Sequence, residues 1–337
     1  MSPATQSGCG KRPLRSAKLF VVLAVSAAWF TPKISWAADS LAAANADLQA
    51  GKADEAISLL TAALRSDANN AEANNLLCRV EYSLQQFDAA AGHCEKAVNL
   101  SPQNSEFHLW LGRATGERAS RANFMSAFGL ARKTREEFES AVKLDARNAD
   151  ALSDLGEFYV EAPGAVGGGV DKAEGVAEKL SAIDPARGHQ LRAEIAEQQK
   201  DLTTAEREFK AACSGNRAAI QWMELAGFYR RHQRWDEMTA AVKSGEAAAA
   251  RDKKSAIALA NGAGTLARAN RQPQEAIRLY ESYLASPDKI EDAPAFDVLT
   301  RLAKLKQQTG DAVGALHDKA AALALAHEYK PALELKF

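Results

Sequence analysis

Residues 71–104 read AEANNLLCRVEYSLQQFDAAAGHCEKAVNLSPQN, and these 34 residues decide the fold. Leu77 supplies an apolar position and Cys78 a small one in the first half. Ala90 and Ala97 supply small positions in the second, with Phe87 at the turn between. Two helices that meet at small side chains approach closely, so the stretch predicts a helical hairpin. Ser101-Pro102-Gln103-Asn104 ends the second helix and starts the next unit, because Pro has no N–H to continue the ladder. The preceding segment follows the same scheme in register through Gly51, Ala56, Leu60, Ala63 and Leu64. One hairpin cannot bury its own apolar faces, so units of this kind stack.

The scheme recurs outward from there. Leu152, Leu155, Gly156 and Tyr159 mark one first helix, and Trp222, Leu225, Ala226 and Tyr229 another. Ala205, Phe209 and Ala212 mark a second helix, as do Ala276 with Tyr280, and Ala315 with Ala322 after Gly310. The stretch 71–104 and these spacings resemble the tetratricopeptide repeat (TPR), whose pattern is Trp-x-x-Leu-Gly-x-x-Tyr followed by Ala, an aromatic residue and Pro. The resemblance implies an all-α fold, a right-handed solenoid of stacked helical hairpins. About eight repeats then cover residues 38–329, with residues 330–337 as a C-terminal tail. A generic helical bundle would not keep a spacing near 34 residues in phase.

Composition agrees with a folded helical chain: 47% of residues are hydrophobic and 25% charged. The N-terminus is different in kind. Lys11 to Lys18 are basic, Leu19–Phe30 is a run of 12 mostly apolar residues, and Ser35-Trp36-Ala37 offers small residues where a signal peptidase reads. Residues 1–37 are therefore expected to be a signal peptide, cleaved after Ala37 or Ala38, which makes the protein periplasmic or secreted. The alternative is an uncleaved anchor, but the apolar run is shorter than the ~20 residues a membrane helix needs. No stable membrane span is then expected after cleavage. Without residues 1–37, 37 bases stand against 43 acids, so a general nucleic-acid binder is not expected.

Export puts Cys78, Cys94 and Cys213 in an oxidising compartment. In a TPR hairpin the positions of Cys78 and Cys94 face each other, so the resemblance allows a disulfide between them; two buried thiols acting as small core residues are the alternative. Cys213 falls at an inward position and reads as an inert core thiol.

Two adjacent units carry insertions, about ten residues between Gly112 and Phe138 and about five between Gly156 and Ala173. Both fall at the turn within a hairpin and are expected to be neighbours in space. The first extends a helix back to about Asn123. The second, Glu161 to Gly169, contains Pro163 and three consecutive glycines and cannot be regular helix. Its amides could hold an anion, with Arg118, Arg121, Arg132, Lys133 and Arg135 on the neighbouring insertion. The lack of a following Lys-Ser/Thr, and the acid at Asp171, argue against that.

No catalytic residues, metal ligands or cofactor motif emerge. The histidines are scattered, and no nucleophile elbow is present. In TPR proteins, positions 2, 5, 9 and 12 of each first helix line the concave groove. Here those positions hold Asn75, Arg79 and Tyr82, then Leu109 and Arg113, the expected partner-binding groove. Arginine and tyrosine suit carboxylate and peptide recognition, and as exposed residues the arginines are expected to be removable without unfolding. The paired Lys and Asn of chaperone-binding TPR clamps are missing. The expectation is a non-enzymatic scaffold that binds a protein or peptide; a structural subunit of a cell-envelope assembly, or an enzyme or anion-binding module on the inserted edge, are the alternatives.

Overall fold

The computed structural model describes residues 33–215 and 218–336. The proposed leader lies outside the described residues as far as residue 32. The first helix, α1 (Lys33–Ala50), runs across the expected cleavage site.

Among the described residues, eight hairpins follow one another. They are α1 with α2 (Ala53–Ser66), α3 (Ala71–Ser83) with α4 (Phe87–Leu100), α5 (Ser105–Arg121) with α6 (Phe124–Leu144), and α7 (Ala149–Glu161) with α8 (Val170–Ser181). Then come α9 (Pro185–Gln198) with α10 (Leu202–Ala212), α11 (Ala218–Arg231) with α12 (Trp235–Ala249), α13 (Ile257–Arg268) with α14 (Pro273–Ala285), and α15 (Ala295–Gln308) with α16 (Ala312–Leu325). A short helix, α17 (Lys330–Leu333), closes the chain.

Local chemistry repeats with the architecture. Asn70, Asn104 and Asn148 each precede a first helix and accept hydrogen bonds from its opening amides, which would otherwise lack partners. Within seven hairpins the turn passes through a left-handed residue: Gly51, Gln85, Gly167, Lys200, Gln233, Asn270 and Gly310. Small residues sit where helices cross: Ala90, Ala97, Ala205, Ala276 and Ala315 are all fully buried. Gly112 shows the reason, since a Cβ there would stand 2.4 Å from the Phe138 ring.

The last hairpin packs on the first. Val298, Leu302 and Leu305 of α15 share a core with Leu279 and Tyr280 of α14. Phe296 of the same helix, with Ala322, Tyr329 and Ala332, shares a second core with Leu48, Leu60, Leu76 and Val80 of α1 to α3. Polar contacts line this seam. Gln49 and Glu291 exchange two hydrogen bonds, Nε2 to Oε1 at 3.1 Å and backbone N to Oε1 at 3.2 Å. Gln85 donates to the Tyr329 hydroxyl at 3.1 Å, and the His327 amide donates to Asp54 at 3.0 Å. Gly51 lies against the start of α15, where a Cβ would stand 2.3 Å from the Ala295 nitrogen. The solenoid is thus a closed circuit. The residues expected as a tail include α17, whose Ala332 is fully buried in the seam.

Candidate functional site

The first helices of successive hairpins bring their concave residues together, and Trp110 of α5 stands at the centre of the expected groove. Arg79 lies over its ring at 5.2 Å and Arg113 at 4.7 Å from the ring centroid. Tyr82 meets it edge-on at 5.6 Å, and the indole N–H donates to Glu106 at 2.7 Å. Burial pushes the Tyr82 hydroxyl up to about 12, so it stays a neutral hydrogen-bonding group.

The structure changes what these residues are available for. Arg79 donates to both carboxylate oxygens of Glu291, at 2.9 and 2.5 Å, from the loop between α14 and α15. Arg113 donates to Asp154 of α7 at 2.6 and 3.3 Å. The chain thus supplies its own carboxylates to the two arginines expected to meet a partner. Leu109 is 1% exposed and belongs to the core of α6 to α9, so it offers nothing to a partner. Asn75 is also 1% exposed, and neither of its amide atoms has a partner among the described residues. What remains accessible is a cleft of about 580 Å³ bordered by Tyr82, Arg113, Glu117, Asp154, Glu157 and Glu161.

That cleft opens on a run of acids. Glu157 of α7, Glu194 of α9 and Glu224 of α11 come from three consecutive first helices. Glu157 keeps contact with solvent, yet protein surrounds it and raises its carboxyl well above the ordinary range. Its strongest charged neighbours are all acids: Glu194, Asp154, Glu224 and Glu161. Burial pushes Glu194 up to about 7, although Gln190 donates to it at 2.9 Å. Burial raises Glu224 too, against the opposing pull of Arg231 and Arg268. Around Glu157, where the strongest charged neighbours are acids, such a cluster attracts a cation, while Arg231 and Arg268 offset part of the charge toward Glu224.

The two insertions do meet. Arg135 of α6 donates to the Val166 carbonyl at 3.1 Å, and Lys172 donates to the Gly167 carbonyl at 2.7 Å. Gly167 has φ of 100°, and a Cβ there would strike the Arg135 guanidinium. The loop therefore turns carbonyls toward bases and is no anion cradle; Gly167 makes room for Arg135 of α6, and Gly168 for the Ala162 carbonyl. α6 begins at Phe124 with Asn123 as its cap. Cys78 and Cys94 form a disulfide across the α3–α4 hairpin, with Cα atoms 5.4 Å apart. Cys213 is buried, its thiol pushed up to about 12 by that burial.

Residues 47–108, from the end of α1 into α5, match the family model of the tetratricopeptide repeat. The chain folds as a solenoid of TPR type. Among solved structures, yeast Tom70 is similar in fold, with 17% identity over 83% of this chain and 58% of Tom70 and a TM-score of 0.52. A TPR protein from Parabacteroides merdae aligns over 89% of this chain and 100% of its own at 14% identity, TM-score 0.44. A thermophilic TPR protein in Thermus thermophilus aligns over 57% of this chain and 98% of its own at 19% identity, TM-score 0.49. No curated protein matches the chain. TPR solenoids of this type are helical-repeat scaffolds whose concave surfaces serve protein interaction.

Proposed function

We propose that this TPR solenoid is an exported, non-catalytic scaffold that holds a basic segment of a protein partner in its concave face. The observation that carries the reading is the acid run Glu157, Glu194 and Glu224 beside the 580 Å³ cleft, with acids as the strongest charged neighbours of Glu157. A lysine or arginine entering there gains several carboxylates at once, and its charge relieves their mutual repulsion. Tyr82 at the cleft wall adds a rigid amphipathic contact. Export rests on the basic Lys11–Lys18, the apolar Leu19–Phe30 and Ser35-Trp36-Ala37.

Fluorescence anisotropy with matched Lys/Arg-rich and Asp/Glu-rich peptides tests the partner class. The basic peptide is expected to bind, and at least tenfold more weakly to the triple variant Glu157→Gln, Glu194→Gln, Glu224→Gln. Binding of the wild type should also weaken as pH falls from 8 to 5, as the carboxylates take up protons. Preference for the acidic peptide, or unchanged binding by the triple variant, overturns the reading. N-terminal sequencing of exported protein tests the leader: the chain should begin at Ala38 or Asp39.

A further inference from the structure

In the second helices, two fully buried alanines stand seven residues apart: Ala90 and Ala97 in α4, Ala205 and Ala212 in α10, Ala315 and Ala322 in α16. In α6 the same place, seven residues before the buried Ala141, holds Thr134. It is 3% exposed, and its hydroxyl has no hydrogen-bond partner among the described residues. Thr115 and Thr300, also buried in helices, both donate to the carbonyl four residues back. Thr134 instead stands on the wall of the cleft of about 580 Å³, opposite Gly116 of α5. A Cβ at Gly116 would lie 3.8 Å from the Thr134 hydroxyl oxygen, so the glycine keeps space open over it. The insertions close the cleft around that space: Ala119 and Ser120 come from the lengthened end of α5, Pro163 and Val166 from the loop before α8.

The negative charge of this wall survives its ion pairs. Arg113 is matched by Asp154 at 2.6 Å, and Glu117 by Arg121 at 3.2 Å. Arg135, which braces the loop, faces Glu136 and Glu139. Glu157 and Glu161 remain, four residues apart on one face of α7 and without an ion pair among the described residues. Phe138, Phe158 and Val166 make much of the remaining wall apolar.

We infer that this cleft is a pocket for a primary ammonium on an aliphatic stem, the chemistry of a lysine side chain, its head shared by Glu157, Glu161 and the Thr134 hydroxyl. The inference rests on the reading that the concave face holds a basic segment, and it names the side chain of that segment that decides recognition. Donor count selects lysine over arginine. An ammonium has three N–H groups, and two carboxylates with one hydroxyl offer an acceptor to each. A guanidinium brings five N–H groups in a rigid plane, and those left without acceptors on burial are costly. The apolar walls suit a methylene stem, which buries its length while its head stays polar. An anion would meet two unmatched carboxylates. An apolar group would dry those carboxylates and the Thr134 hydroxyl without bonding any of them. A free aliphatic diamine carries the same head and stem as lysine, so the chemistry has two sources.

Fluorescence anisotropy of the full chain with two labelled peptides reads the pocket. One peptide is rich in lysine and arginine; in the other every lysine is replaced by arginine. The lysine-containing peptide should bind more tightly by about tenfold. Thr134→Val, which keeps the shape of the side chain, should narrow that preference to under about threefold. Glu161→Gln should narrow it as well; this position is exposed, so circular dichroism should be unchanged even if the α6 variant folds poorly. Cadaverine, a diamine with the head and stem of lysine, should displace the lysine-containing peptide. Displacement at concentrations below the peptide's own Kd assigns the pocket to a free amine, and displacement only well above it to a lysine of a segment. Equal binding of the two peptides by the wild type, or a preference that both variants leave intact, overturns the inference. The all-arginine peptide reports the concave acids separately. If neither peptide binds while cadaverine does, and Thr134→Val abolishes that binding, the concave-face reading falls and the pocket stands.

Discussion

Arg79 and Glu291 are each only 13% exposed and hold one another through two hydrogen bonds across the seam. Removing one partner from such a pair leaves a poorly hydrated charge behind, which costs more than the pair contributed. Arg79→Ala should therefore lower stability by about 2–3 kcal/mol in urea unfolding. Adding Glu291→Gln should recover part of the loss, and strict additivity of the two changes would contradict the pairing. The 34-residue period was enough to select Arg79, Tyr82 and Arg113 as concave residues, because a repeated helix presents the same face at the same position. It could not separate Leu109 from Trp110. Neighbours on a helix differ by about 100°, and a small rotation of α5 turns Leu109 into the core while Trp110 receives both arginines. Glu291 was illegible for another reason: it lies in a loop outside the repeat pattern, 212 residues from Arg79.

At the scale of elements, α7, α9 and α11 each place an acid on the concave face, and their titration sets a pH dependence. The folded-state carboxyls of Glu194 and Glu157 are raised, so folding favours their protonated forms. The penalty of keeping them ionised is absent below the ordinary carboxylate range and is complete above the raised value, which for Glu194 is about 7. Their share of stability therefore falls as pH rises from about 4.5 to about 7. Glu194→Gln with Glu157→Gln should raise Tm at pH 8 by roughly 2–4 °C and leave it nearly unchanged at pH 4.5. Equal shifts at both values would show that the gain comes from packing instead. The insertions were legible as excess length over the period, and α6 begins where its apolar spacing placed it. Their contact through Arg135 and Val166 was not, since a carbonyl acceptor leaves no mark in a sequence.

For the whole molecule, closure is the feature that no unit encodes. Each repeat specifies only how it stacks on the next, and the angle accumulated over eight hairpins decides whether the ends meet. Residues 330–337 therefore looked like a tail. Ala332 among them is fully buried, in one core with Tyr329 just before them, and Tyr329 is the anchor of the seam. Its ring is fully buried 4.8 Å from that of Phe296, and its hydroxyl donates to Asp297 at 2.7 Å while accepting from Gln85. Tyr329→Ala should cost about 3–5 kcal/mol, and the loss should be local to the seam. Hydrogen exchange in α1 to α3 and α15 to α16 should accelerate well before that in α9 to α12. Uniform acceleration would mean that the circuit unfolds as one cooperative body.

The same closure bears on the traffic of any occupant of the concave face. An open solenoid can wrap a segment from the side, whatever bulk hangs from either end of it. A closed one admits from the side only while its seam is parted; otherwise a free end must be threaded through. A segment tethered between two folded domains would then wait for the Gln49–Glu291 and Gln85–Tyr329 contacts to open, and once inside it would leave at the same slow rhythm. Residence time would be governed by a latch that shares none of the acids Glu157, Glu194 and Glu224, so that weakening the latch speeds both arrival and departure while leaving the equilibrium affinity largely where it was.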